Sequence, residues 1–448
     1  MRTMKCGFCK KVITPPLGTP IVGYYSERLM KGVIDDLYVR AAAFSDGEKK
    51  AVILEADLCL MSEVLCNDIR KCVADFCGVD MGAVFISCNH THTGPLTGRD
   101  FASDKMPSDQ YLDFLKVTFR DTAAYALEDL KPAEFYAAET TAEGISFVRR
   151  FRMKDGTVRT NPGALNPNID HALGIPNESL KLLKIVRQGG NDLFIFNFGT
   201  HADTVGGEYI SADYSAYACA AIEGAIPGTD AMFLLAPQGD VNHFNVWKPN
   251  CGKVVSPRAD EDVKERAAHA RYMGRVLAGK ILTVCDRAEK INADTIRWAS
   301  APVEIPSHQE NDKLEEARRI NDLYISGRGD EICDPGMHRT EIIAEARRII
   351  KLENGPSSYH YHIYALRLGD FVLAGLPGEP FTDIHNRISA GTPFANTMVC
   401  CQINACTGYF PTTQAYNEGG YEAKTSVYAA GADDILVNGT LRLLEEMK

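Results

Sequence analysis

Four short apolar runs frame the chain: residues 83–87, 193–198, 232–235 and 371–376. Each has the length and composition of a buried strand. Each breaks at once into a turn that carries His, Asp or Glu. The turns read Asn89-His90-Thr91-His92-Thr93-Gly94-Pro95, Gly199-Thr200-His201, Pro237-Gln238-Gly239-Asp240-Val241-Asn242 and Pro377-Gly378-Glu379. Hairpins are expected at 37–44 with 51–57, around Asp46-Gly47, and at 180–186 with 193–198, around Gly189-Gly190. Helical spacing covers 61–77, 108–129, 213–225, 261–291, 309–326, 337–353 and 433–447. Ser108 is placed to cap the second of these. Residues 296–307 read as a strand, and the region 295–355 as a helical insertion or lid. Residues 12–24 and 146–170 are rich in Pro, Gly and Asn, and the second stretch has the length of a functional loop. No internal repeat or low-complexity tract is visible. Strands alternating with helices make this an α/β chain.

Composition narrows the picture. With 448 residues, 45% of them hydrophobic, there is material for one large α/β domain or two to three smaller ones. The net charge of −11 without a basic block excludes a nucleic-acid surface. No apolar run is long enough for a transmembrane segment. The first residues, Met1 to Cys9, lack the apolar centre of an export signal. Fourteen cysteines then read as reduced thiols in a cytoplasmic protein. Cys6 and Cys9 have CxxC spacing without a second pair, which leaves a metal or redox role weakly supported.

The turns hold the candidate chemistry. His90 and His92, two apart in extended chain, point to one side. In open α/β sheets, ligands gather beyond the carboxyl ends of strands. Two histidines and a carboxylate delivered there are the usual ligands of a catalytic zinc, which keeps one position for water. Asp240 is expected to orient a histidine, His243 to face substrate or solvent, and Asp57 to lie near the site or in a turn. His360 and His362 alternate on a strand and are read as structural.

Six stretches resemble the neutral ceramidase family, in order: Ile13-Thr14-Pro15-Pro16, His90-Thr91-His92-Thr93-Gly94-Pro95, Asn197-Phe198-Gly199-Thr200-His201, Gly239-Asp240-Val241, Leu376-Pro377-Gly378-Glu379 and the tyrosine-rich segment from Tyr409 to Tyr428. The resemblance implies a large single catalytic domain of mixed β-sheets flanked by helices over 1–448. It implies Zn2+ held by His90, His201, Glu379 and Tyr416, with His92, Arg149 and Tyr428 around the reacting centre. Asn242 stands where the family's GDVSPN element has serine, so no serine nucleophile is available there. Against the family's pattern, neither an export signal nor a C-terminal β-sandwich domain is expected here. The expected activity is hydrolysis of an amide or ester of a small N-acyl substrate by zinc-activated water. A lipid amidase for ceramide-like molecules and a degenerate ligand-binding member are the alternatives. Homo-oligomerisation is left open.

Overall fold

The computed structural model describes residues 4–98 and 105–448. Eight principal strands build a large sheet: β1 (Lys5–Val12), β2 (Tyr38–Ser45), β3 (Lys50–Ala56), β4 (Val84–Cys88), β5 (Lys131–Thr141), β6 (Ser179–Arg187), β7 (Asp192–Phe198) and β8 (Thr229–Leu235). Their order is β8-β7-β6-β5-β1-β2-β3-β4, and a short strand, Glu289–Ile291, joins β5 from the side. A smaller sheet follows: β9 (Ile296–Pro306), β10 (Ser358–Leu368), β11 (Phe371–Gly375) and β12 (Asn396–Cys400), paired in that order.

Both faces of the large sheet are buried, so its strands alternate between two cores. Phe44, Ile53, Phe85, Phe135 and Ile195 face Leu366, Leu373 and Met398 of the small sheet. Val39, Val52, Leu54 and Ile86 face α1 (Glu63–Cys77) and α2 (Asp109–Glu128). Phe196 and Phe233 face α3 (Asp213–Ala225) and α4 (Ala268–Val284). The outer face of the small sheet is covered by α7 (Thr382–Gly391) and α10 (Ala432–Glu446). The layers are therefore helix, sheet, sheet, helix. No described helix is long and apolar enough to cross a membrane.

Topology repeats where sequence does not. β1-β2-β3, β5-β6-β7 and β9-β10-β11 are each antiparallel. Each trio then crosses through a helix (α1, α3 or α7) to a parallel fourth strand, β4, β8 or β12. A second helix packs beside the first, giving the pairs α1/α2, α3/α4 and α7/α10. In each unit the long connection leaves between the first and second strands, at 13–37, 142–178 and 307–357. Register puts these connections at the same end as the termini of the third and fourth strands. One edge of the molecule thus collects six strand-end turns and three insertions.

Two expectations change. The helix expected over 261–291 is α4 alone, with 3₁₀ turns before and after it and a strand at its end. Residues 296–306 belong to the small sheet, so the helical insertion is α5 (Leu314–Ile325) and α6 (Met337–Leu352). Cys6 lies in the core between the sheets and Cys9 packs with the opposite core, so this pair makes no joint site.

Candidate metal centre

His90 leaves β4 with φ of 68°. A non-glycine residue in this left-handed region is strained and is kept only where its surroundings over-determine it. The surroundings do so here. The His90 N–H donates to the Leu58 carbonyl. Asn89, one residue earlier, donates to Asp57 (2.8 Å), the Ala212 carbonyl and Ser215. Asp57 is itself paired with the buried Arg40. Asp57 therefore supports the site through Asn89 rather than reaching into it.

The donors then converge. His90 Nδ1 lies 2.7 Å from the Cys59 carbonyl, and His201 Nδ1 lies 3.1 Å from that of Gln238. A carbonyl accepts, so each Nδ1 carries the proton and each Nε2 presents a lone pair. Gln402 Nε2, on the turn after β12, also lies 2.6 Å from His90 Nδ1; with the amide turned over, its oxygen accepts from the same N–H. Glu379 Oε2 stands 3.1 Å from His90 Nε2 and 3.3 Å from His201 Nε2. The Tyr409 hydroxyl is 3.3 Å from His201 Nε2. His90, His201 and Glu379 are buried, and Tyr409 is half-buried.

Two observations test this cluster as a cation site. Donors about 2.0–2.1 Å from a tetrahedral metal lie about 3.3–3.4 Å from one another, and the observed spacings match. Glu379 Oε2 is also buried without a well-formed hydrogen bond, although two imidazole nitrogens face it. Three facing lone pairs call for a positive charge between them, a metal ion or, in its place, a proton on His90. The residues present fit a divalent metal, and the N, N, O, O set suits zinc.

Electrostatics point the same way. Burial raises the Glu379 pKa, but His90 and His201 outweigh it and hold the carboxyl well below its usual range. Burial disfavours charge on His90 too, yet Glu379 lifts it well above the ordinary value. Burial and then Arg149 lower His201. Burial and then His90 hold His92 well below its usual value, so its ring is neutral. His92 Nε2 lies 3.2 Å from His90 Nε2, at the rim of the cluster. The backbone of Gly23 presses on it: a Cβ there would meet the His92 Cα, Cβ and Cγ at 2.9 Å.

Not every expected residue arrives. Tyr416 lies on α8 (Thr413–Glu418), and its hydroxyl donates to Ser426 Oγ at 2.8 Å. It takes no part in the cluster. The tyrosine that does is Tyr409, because the short strand Tyr409–Phe410 pairs in register with Glu379–Pro380. Tyr428 is fully buried, stacked on Phe410, and donates to the Thr407 carbonyl at 2.6 Å. It packs the core and does not face the centre. Arg149 meets the site through Tyr409: its guanidinium lies 5.4 Å from that ring, pairs with Glu422 at 2.7 Å and donates to the Gly239 carbonyl. Asn242 donates to Asn161 Oδ1 at 3.0 Å and accepts from the Phe244 N–H, which ties two loops together. Asp240 orients no histidine. Its oxygens accept from the Thr382 N–H and hydroxyl and so fix the start of α7.

Sequence reading missed Tyr409, Gln402 and Asp203. Gly408-Tyr409-Phe410-Pro411 does carry a signal: aromatic residues between Gly and Pro suit a short edge strand. Gly239 marks where the two sheets' turns touch. A Cβ there would sit 2.5 Å from the Glu379 carbonyl, and its N–H donates to the Pro380 carbonyl.

No protein-family model matches the sequence, and no curated protein matches it. Solved structures do share the fold. A neutral ceramidase from Pseudomonas aeruginosa superposes with a TM-score of 0.73 at 18% identity, over all of this chain and 75% of that one. A ceramidase complexed with C2 gives 0.71 at 16% identity, over all of this chain and 76% of that one. The fold is that of these enzymes.

Proposed function

We propose that the chain is a zinc-dependent amidohydrolase that cleaves an amide or ester bond of an N-acyl substrate with water. The convergence of His90 Nε2, His201 Nε2 and Glu379 Oε2 on one point carries this reading, since their donor atoms all lie within 4.8 Å of one another. His90, His201, Glu379 and Tyr409 would hold the metal. Zinc bound there supplies Lewis acidity for a carbonyl oxygen and makes water acidic enough to ionise near neutral pH.

The protein's own groups do the rest. Backbone carbonyls of Cys59 and Gln238 hold the two imidazoles in one tautomer. Arg149 sits against Tyr409 and, paired with Glu422, keeps that ring in place. His92, neutral and beside the cluster, carries a proton at Nε2 to the leaving amine or alcohol. The two structural neighbours are ceramidases, which favours amide chemistry and keeps a ceramide-like lipid as the second reading. All 14 cysteines are free thiols, which supports the cytoplasmic placement.

The test is hydrolysis of short N-acyl amides and esters by metal-loaded protein, with and without chelator, alongside elemental analysis. We expect about one zinc per chain, turnover abolished by chelation, and metal lost in both His90→Ala and His201→Ala. Full zinc content in both variants would overturn the assignment.

A further inference from the structure

The chain continues past His201 through Ala202 to Asp203. Asp203 lies no more than about 7 Å of chain from the candidate ligand. Three contacts fix it there. The His92 N–H donates to the Ala202 carbonyl at 2.9 Å, which ties the segment to the other histidine turn. The Tyr24 hydroxyl donates to the Asp203 carbonyl, and the Tyr24 ring packs edge-on against His92 with centroids 5.2 Å apart. His243 Nδ1 donates to Asp203 Oδ1 at 2.9 Å.

The two members of this pair differ in access. The His243 side chain is wholly enclosed, whereas Asp203 keeps 11% of its side chain exposed. His243 Nε2 is buried with no hydrogen bond, so its described polar contact is Asp203 alone. His243 therefore acts as a prop. It holds one carboxylate oxygen, Oδ1, while the other, Oδ2, takes no hydrogen bond among the described residues. A fixed carboxylate accepts hydrogen bonds and has nothing to donate. An apolar chain passing it would leave that charge desolvated and unpaired.

We propose that Asp203, propped by His243, is a specificity residue that accepts a hydrogen bond from a donor group of the substrate, a hydroxyl or ammonium a few bonds from the scissile carbonyl. This rests on the amidohydrolase reading above and narrows it to polar N-acyl compounds. His243→Gln keeps an amide donor toward Asp203 and serves as the conservative control.

The probes are N-butanoylethanolamine and its isostere N-butanoylpropylamine, which lacks the hydroxyl. Both are offered to metal-loaded protein for hydrolysis and for calorimetric binding. A site built around a buried acceptor rejects the analogue without the donor, here by about 10–100-fold. We expect that preference in wild type, carried mainly by KM and by Kd. Asp203→Asn is expected to reduce it to about twofold while keeping the metal, with His243→Gln between the two. If neither probe is hydrolysed but the hydroxyl still strengthens binding in wild type and not in Asp203→Asn, the inference stands and the hydrolase reading falls. An equal preference in wild type and Asp203→Asn, or none in wild type by either measurement, overturns the inference.

Discussion

The large sheet and the small sheet supply the donor cluster by different routes. The large sheet sends His90, His92 and His201 on turns, two to four residues past the strand ends at Cys88 and Phe198. The hydrogen-bonded register of β3 with β4 and of β7 with β8 sets where those turns start. The small sheet sends Glu379 in the same way, after Gly375. Its second donor, Tyr409, comes nine residues after β12 ends, past an irregular stretch with left-handed residues at Gln402 and Asn404. What places Tyr409 is its pairing with Glu379 and the Arg149–Glu422 pair from another insertion. Groups placed by register depend on the sheet alone. A group placed by packing between distant segments depends on every one of them.

The contrast can be broken experimentally. The largest effect is expected for His201→Ala, which removes a register-placed donor. Its metal content should fall close to zero with far-UV circular dichroism unchanged, because four extended hydrophobic cores hold the layers without it. Loss of the fold along with the metal would show that the site is part of the core. His92→Ala comes next. It should retain metal and lose turnover by about 10²–10⁴-fold, as removal of a proton carrier does; a rate near wild type would exclude that role.

Tyr409→Phe probes the packing-placed donor. We expect weaker metal retention by about 10–100-fold in competition with a chelator, comparable to loss of a group that supports a ligand. The parallel variant Tyr416→Phe should leave metal affinity untouched and cost about 1 kcal/mol of stability for its hydrogen bond to Ser426. If the two variants exchanged these phenotypes, Tyr416 would be the ligand after all. The smallest effect is expected for Asn242→Ser. It breaks the bond to Asn161 and should lower the melting temperature by a few degrees at most, with the rate nearly unchanged. Trapping an acyl group on the new serine during turnover would reveal a different nucleophile.

The sequence by itself determined the buried strands, because runs such as 193–198 and 371–376 are apolar on both faces and have no other stable place. It determined that His90, His92, His201 and Glu379 sit just past strand ends, since that placement needs only the strand and the turn after it. It showed no repeat, because the three units share hydrogen-bond topology and not side chains. Only the tertiary structure decided which tyrosine joins the histidines. Tyr409, Tyr416 and Tyr428 look alike locally, and their roles differ by what each meets: the Glu379 strand, Ser426, or the stacked ring of Phe410. Only the tertiary structure turned Asp240 to the start of α7 and Asp203 to His243. Those contacts join segments about 40 to 140 residues apart. Local periodicity says nothing about which distant backbone will arrive with a free donor.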